Sequence, residues 1–306
     1  MAPRGGAPRS EARERRKRVG EETFETIRRG TYRLDNEDHA YDLSTRTNYS
    51  ARNTEYYPPD SLLSTWNSTP SSPNPTGCDQ PRISILDIST LDGARLLAAT
   101  HSGDPQQAPI PKIGVLNFAS ATKPGGGVLS GAQAQEESIA RSSTLYPTLM
   151  TPSAQEFYKL HKRNNKGGFY SHAMIYSPRV TIFRDDDGGW TEPLEVDVLT
   201  SPAVNAGAVR QTLHWRVSPT LQEQNIEKTM LERMARILFL FERQGVKHLV
   251  LGSFGTGVFK NKVDVIAGIW ETLLRGRFAR SFEHVMFAIL GRETFDQFEK
   301  SFTSRN

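Results

Sequence analysis

The sequence predicts a three-layer α/β/α domain, with helices on both faces of a mixed, largely parallel central sheet and a helical extension at the N-terminus. Two observations carry this. From residue 81 onward short apolar runs such as "ISILDI", "IGVLNF" and "HVMFAIL" alternate with helical patterns of roughly 10 to 20 residues, the signature of βα units whose strands pair in parallel under helices on both faces. The 306 residues, 37% hydrophobic and 24% charged, also suffice for a sizeable core, and no internal repeat divides them.

The elements follow in order. Residues 1–10 read as a basic tail without structure, and 11–306 as one domain. In 11–32, Val19, Thr23 and Ile27 recur at helical spacing beside Phe24, and Gly30 is placed to stop a helix. From 41 to 80 the composition turns to Ser, Thr, Asn and Pro, which predicts a loop, with a flexible Ser/Pro-rich insert at about 60–80. The strands expected after it lie in "ISILDI", "KIGVLNFAS", "AMIYSPRVTIF", "VDVLTSPAV", "KHLVLGSFGTG" and "HVMFAIL". Helices are expected in "LDGARLLAATH", "EESIARSSTL", "AQEFYKLHKR", "EQNIEKTMLERMARILFLFERQG", "VDVIAGIWETLLRGRF" and "ETFDQFEKSF".

Charge is unevenly spread. The formal total is +4, of which the first 20 residues supply +5 (seven Lys or Arg against two Glu), leaving the body at −1. A neutral body argues against a broad nucleic-acid footprint, whereas the basic arm could touch an acidic polymer. "RERRKRVG" at 13–20 fits a nuclear import signal, and better a solvated helix face. Cys78 is the only cysteine, which excludes a disulfide within the chain and a CxxC redox pair and suits a reducing compartment. No run reaches the length of a membrane span, and the basic start is not followed by an apolar signal region. The "NST" at Asn67 therefore reads as ordinary loop. An intracellular protein, nuclear or cytoplasmic and not secreted, without membrane contact and monomeric, is expected.

Three loops at strand ends are candidate sites, since open α/β sheets bind ligands beyond the carboxyl ends of their strands. The first is "KPGGGVLSGAQAQEES", 123–138. Gly125, Gly126 and Gly127 can take positive φ and bring bare backbone against a ligand, while Glu136 and Glu137 either carry chemistry or merely complement the dipole of the helix they open. The second is "LVLGSFGTGVFKN", 249–261. Gly252, Gly255 and Gly257 with Ser253 and Thr256 could present amides to phosphate. Its GxxGxG spacing and missing Gly-Lys-Ser/Thr disfavour a nucleotide triphosphatase or a dinucleotide dehydrogenase. Phe254 and Phe259 are core residues, or one packs on a ribose. The third, "VLTSPAVNAGA" with Pro202, Asn205 and Gly207, reads better as a plain loop. Asp185, Asp186 and Asp187 suit a solvated hairpin turn. The seven histidines are scattered singly and no GxSxG occurs, so neither zinc nor a serine hydrolase has support.

The triplet Gly125–Gly127, seven residues and then Gln135-Glu136-Glu137 resembles the pattern of poly(ADP-ribose) glycohydrolases of the microbial type, enzymes of the macrodomain fold. "EETFETIRRGTY", "NFASATKPGGG", "AQAQEESIARSSTLY", "FRDDDGGW", "VDVLTSPAVNAG" and "LGSFGTGVFKN" extend the resemblance in order from residue 21 past 261. The resemblance implies that Glu137 is the catalytic acid, that Glu136 holds ribose hydroxyls and that Gln135 supports the loop. It implies that Asn117 contacts the same ribose, that the glycine triplet cradles it, and that Gly255, Thr256, Gly257, Val258 and Phe259 form the phosphate-binding turn, with Phe259 packing on a ribose. Asn205 joins the substrate-binding set. Neither a cofactor nor a metal is implied. Ser120 stands where a related de-ADP-ribosylase branch has a second Asn, which argues against that branch's mechanism.

The expected partners are poly(ADP-ribose) and ADP-ribosylated proteins, with ADP-ribose as product. Cleaving a ribose–ribose O-glycosidic bond requires protonation of the leaving oxygen, and the neighbouring charge of Glu136 together with exclusion of water would favour a protonated Glu137. Two other readings stay open: a module that reads ADP-ribose without cleaving it, and a hydrolase of single ADP-ribose units on proteins.

Overall fold

A computed structural model describes residues 9–35, 37–70, 80–101 and 112–304. The chain begins with helix α1 (Arg9–Arg29), a small hairpin β1 (Thr31–Arg33) and β2 (Ala40–Asp42), helix α2 (Ser44–Arg52) and strand β3 (Glu55–Tyr57). It continues with β4 (Arg82–Leu86), α3 (Thr90–His101), β5 (Ile113–Phe118), α4 (Gln135–Ser142), α5 (Leu145–Leu149) and α6 (Pro152–Arg163). The long hairpin β6 (Met174–Arg184) and β7 (Trp190–Ser201) precedes the short α7 (Ala206–Val209) and α8 (Leu213–Val217), then α9 (Pro219–Arg243), β8 (His248–Leu251), α10 (Val263–Arg275), β9 (His284–Ala288) and α11 (Arg292–Thr303).

Seven strands form one sheet in the order β3-β6-β7-β5-β8-β9-β4. Four of its six pairings are parallel, and only the β3–β6 and β6–β7 pairings are antiparallel. The mixed, largely parallel sheet of the sequence reading is observed. Each central strand buries both faces, because successive side chains point to opposite sides. Leu116, Leu199, Leu249, Leu251 and Phe287 join the core under α9, α10 and α11. Val115, Val198, Val250 and Met286 join the core under α3, α4 and α6. Two cores on opposite faces of one sheet make the three layers. Gly114 in β5 lets α9 come close: a Cβ there would lie 2.6 Å from Phe241 Cε1 and 2.9 Å from Leu249 Cδ2.

The N-terminal third differs from expectation. The helix begins at Arg9 and ends at Arg29, with Gly30 at φ +84° as the predicted stop. Residues 41–70 are not a plain loop: they supply α2, a 3-10 turn at Leu62–Thr65 and the edge strand β3, paired through Glu55↔Tyr176 and Tyr57↔Met174. These elements are too short to show periodicity through a Ser/Thr-rich composition, and Arg236 ties the segment down by donating to Pro59 O at 2.7 Å. The Ser/Pro-rich 71–79, with Cys78, and the tail 1–8 lie outside the described residues.

The triple-aspartate stretch forms the β6–β7 turn, where Gly189 N donates to Asp185 Oδ1 at 2.7 Å. The histidines scattered in sequence partly meet in space. At the starts of β8 and β9, His101 Nε2 lies 3.0 Å from His284 Nδ1, and the His101 and His248 rings stack at 4.0 Å. Burial pushes His248 and His284 down to about 4, so they are neutral at physiological pH. Among the described residues no group of three or more His, Cys, Asp or Glu is arranged to hold a metal ion.

No helix among the described residues is long and apolar enough to cross a membrane.

Candidate active site

The three predicted loops leave neighbouring strands. β7, β5 and β8 lie side by side and parallel, so the segments that follow Ser201, Phe118 and Leu251 emerge at one edge of the sheet. The site is a consequence of strand order.

The catalytic candidates sit on the first turn of α4. Glu137 Oε1 accepts from Gly127 N at 2.8 Å, and Glu136 Oε2 accepts from Ser120 N at 2.7 Å. Both carboxylates therefore fold back over the loop that precedes them. Gly125 and Gly126 take φ of +64° and +59°, a left-handed pair that side-chain-bearing residues adopt only at a cost. Space demands glycine as strongly: a Cβ on Gly126 would overlap Glu137 Oε1 and lie 2.9 Å from Glu137 Cδ and 3.0 Å from Glu136 Oε2. The third glycine is not left-handed, with φ −100°, and its amide is the donor to Glu137.

Asn117, on β5, is fully buried and donates through Nδ2 to Thr200 Oγ1 at 3.1 Å. Its Oδ1, Glu136 Oε1 and Glu137 Oε2 are all buried without a hydrogen-bond partner in the protein. Buried polar atoms are rarely left so, and here three acceptors are unsatisfied in one small region. Tyr158, whose hydroxyl is also buried and unpartnered, packs nearby; burial first, and then the charge of Glu136, raises its pKa.

Burial pushes the Glu136 carboxyl up to about 8; the Ser120 N–H opposes this and the negative charge of Glu137 adds to it. A stability prediction follows. An unfolded Glu136 ionises near 4.5 and a folded one near 8, so the folded state binds the extra proton between those values and its stability falls as pH rises through 8. Below pH 6.5 the buried His161, His172, His248 and His284, all pushed down to 3–4, oppose this trend. That opposition fades only about one unit above 6.5, where the unfolded histidines have lost their protons as well, so Glu136 dominates from about pH 7.5 to about 8.5. In that window the thermal midpoint of the wild-type chain is expected to decrease, and that of Glu136→Gln to stay flatter; parallel slopes in calorimetry would contradict the assignment.

Gln135 has another task than the one expected. Its Nε2 donates to Leu116 O at 2.6 Å and its Oε1 accepts from Phe118 N at 2.8 Å. Pairing of β5 with β8 stops at Val115, and the side-chain amide replaces the missing strand for one more peptide. Gln135 Nε2 also donates to Thr90 Oγ1 at 3.3 Å, so neither hydrogen of that amide is left for a ligand. Ser120 contributes its backbone N–H, while its Oγ accepts from Thr122 N and Lys123 N to shape the turn.

The second loop is braced from beneath. Trp270 Nε1 donates to Gly252 O at 3.1 Å, and Asn261 Nδ2 donates to Val204 O at 2.8 Å and Gly255 O at 3.0 Å. Gly255 is left-handed at φ +75° and could not carry a Cβ without overlapping Ala203. Among the described residues the amides of Gly255, Gly257, Val258 and Phe259 donate to no protein acceptor. Such a run of free N–H groups makes an anion-binding concavity. A Cβ on Gly257 would meet nothing within 4 Å, and Val258 is 78% exposed, so the lip of the loop is open. Thr256 is turned inward, its Oγ1 donating to Ser253 O at 2.9 Å.

The two phenylalanines separate. Phe254 is fully buried against Phe118, with ring centroids 5.5 Å apart, whereas Phe259 is half-buried and faces Tyr170 at 6.0 Å. Asn205 caps α7, its Oδ1 accepting from Ala208 N at 3.0 Å, and Gly207 N donates to Phe259 O at 3.0 Å. The third loop thus braces the second. Arg210 and Lys262 converge on Glu223, whose carboxyl Arg210 holds down to about 2. Sequence reasoning missed Tyr170, which takes φ +54° after the turn "NNKGGF"; the glycine pair in that turn was its only signal. It also missed Arg233, fully buried, which donates to Pro202 O at 3.0 Å and Phe169 O at 2.8 Å. A cavity of about 410 Å³ lined by Glu22, Arg29, Tyr32, Arg33 and Trp190 contains none of these residues; convergent acceptors and free amides, not cavity size, locate the site.

Comparison with known proteins gives the family. Residues 20–185 match the family model for the catalytic domain of microbial-type PARG, poly(ADP-ribose) glycohydrolase. The chain belongs to this family. The crystal structure of poly(ADP-ribose) glycohydrolase from Thermomonospora curvata is 33% identical, with a TM-score of 0.82 over 96% of this chain and 100% of that one. The same enzyme bound to the inhibitor ADP-HPD gives 0.79 over the same shares at 33% identity. The Deinococcus radiodurans enzyme in complex with ADP-ribose is 32% identical and gives 0.70 over 85% of this chain and 97% of that one. No curated protein sequence matches significantly. The chain is a glycohydrolase by family, and its mixed sheet flanked by helices is that of an α/β PARG catalytic domain.

Proposed function

We propose that this PARG-family chain hydrolyses the ribose–ribose O-glycosidic bond of poly(ADP-ribose), releasing ADP-ribose, with Glu137 as general acid and then general base. The observation that carries the reading is the trio of buried, unpartnered acceptors on Asn117, Glu136 and Glu137, beside an amide-lined loop suited to a diphosphate. A ribose offers hydroxyl donors to the first, and phosphates offer acceptors to the second. Glu137 Oε1 is held by Gly127 N, which leaves Oε2 to deliver the proton to the leaving oxygen as positive charge builds on the sugar. Acid–base catalysis of this kind contributes ~10²- to 10⁴-fold. Burial lets Glu136 keep a proton toward pH 8, and its Oε1, without a partner in the protein, is left to meet ribose hydroxyls. The acids are sequence neighbours on one helix turn, so they do not flank the sugar as in most glycosidases; a substrate phosphate then holds the attacking water.

A reader of ADP-ribose has no use for two buried acids, which favours an enzyme. Incubation with automodified poly(ADP-ribose) polymerase should yield free ADP-ribose by mass spectrometry. Binding of polymer without any release would leave only the reader, and release from mono-modified protein alone would transfer the activity to single units.

A further inference from the structure

The stretch between the glycine triplet and α4 is held by arginines. Arg13 Nε donates to Ser130 O at 2.8 Å, Arg16 Nε donates to Gly131 O at 3.0 Å, and Arg141 NH1 donates to Ala132 O at 2.8 Å. Three consecutive carbonyls are each taken by a different guanidinium, two of them from α1. The contact is close: a Cβ on Gly131 would overlap the backbone oxygen of Arg13. The same loop closes on the active site, since Ala132 N and Ser130 N donate to Gly127 O and Gly127 N donates to Glu137.

Holding a carbonyl needs one N–H of the five that each guanidinium carries. Arg13 and Arg16 spend only Nε among the described residues, and none of the three has an ion-pair partner there. The carboxylates that act on the cluster, Glu137 and Asp186, do so through Arg141, while Arg16 and Arg141 repel each other. Arg141 spends NH1 on Ala132 O and NH2 on Ser138 Oγ, whereas the forks of Arg13 and Arg16 are left for an anion with several oxygens, which a guanidinium engages bidentately. Arg13 is exposed and Arg16 half-buried, so the forks are accessible from solvent. Both lie ahead of residue 20, where the family match begins.

We infer that Arg13 and Arg16, backed by Arg141, form a subsite for a phosphate of the poly(ADP-ribose) chain next to the unit being cleaved. The inference rests on the polymer being the substrate. In this arrangement α1 is part of the substrate cleft: it draws the anionic chain to the lip of the catalytic loop while fixing that loop by its carbonyls.

Binding of end-labelled poly(ADP-ribose) by fluorescence anisotropy, in a Glu137→Gln background so that polymer persists, tests this. Arg13→Gln with Arg16→Gln keeps side-chain amide donors and removes two charges. It is expected to weaken polymer binding ~10-fold and to reduce the slope of log affinity against log salt by ~1.4. Calorimetric affinity for ADP-ribose, which fills only the terminal unit's place, is expected to stay within about two-fold, since it engages no flanking phosphate. Arg13→Lys with Arg16→Lys, which retains the charge and gives up the fork, should keep the parent's salt slope while losing part of the affinity. Arg13→Gln alone, at an exposed position, should move the same way and guards against misfolding of the pair. An unchanged polymer affinity and salt slope, or a parallel loss for ADP-ribose, would overturn the subsite. Release of ADP-ribose by the wild-type chain is measured separately: its absence removes the hydrolase reading, whereas the salt slopes still report whether the arginines touch the polymer.

Discussion

Glu137→Gln is expected to slow release of ADP-ribose from poly(ADP-ribose) by at least ~10²-fold, and by up to ~10⁴-fold, the range that loss of a positioned general acid commands, with ADP-ribose affinity nearly unchanged. The amide is close in size and its oxygen can still accept from Gly127 N, the 2.8 Å bond that fixes the carboxylate. What it lacks is the dissociable proton. Single-turnover kinetics at neutral pH, with calorimetry of ADP-ribose binding, check both halves. A Gln variant that cleaves at the wild-type rate would move the acid elsewhere, and Glu136, buried and protonated toward pH 8, is the next candidate.

Gly126→Ala is expected to abolish activity almost as fully, by a steric route. The backbone at φ +59° costs an alanine ~1–2 kcal/mol, and the new methyl overlaps Glu137 Oε1 while sitting 3.0 Å from Glu136 Oε2. Glu137 has to leave Gly127 N, so kcat should drop ~10²-fold or more, as small displacements of a catalytic group do. The double substitution Gly126→Ala with Glu137→Ala removes the obstacle together with the acid. Its unfolding free energy should recover toward the backbone cost alone, giving a coupling of ~1–3 kcal/mol in a denaturant double-mutant cycle. Additive losses would mean that the methyl and the carboxylate never compete for the same space.

Why the first site was legible and other parts were not comes down to range. The apolar run 113–118, the glycine triplet and the Gln-Glu-Glu start of α4 lie within 25 residues, so strand, loop and acids can be read together. The split between Phe254 and Phe259 needed coordinates: both flank the same glycines, and only packing on Phe118 or on Tyr170 tells them apart. That Gln135 holds the end of β5 and not the glycine loop needed coordinates, because nothing local reveals that β8 stops pairing short of it. The arginine contacts join residues more than 110 apart, and in sequence those arginines merge into an ordinary charge run. Residues 41–70 were hidden by composition, since a three-residue edge strand draws its order from the neighbour it pairs with.

The side chain of Gln135 has a mechanical consequence. By splicing the start of α4 onto the last peptide of β5, it ties the helix that carries both acids to the central sheet. A sugar entering or departing therefore meets a proton donor whose helix cannot slide without tearing the end of a core strand.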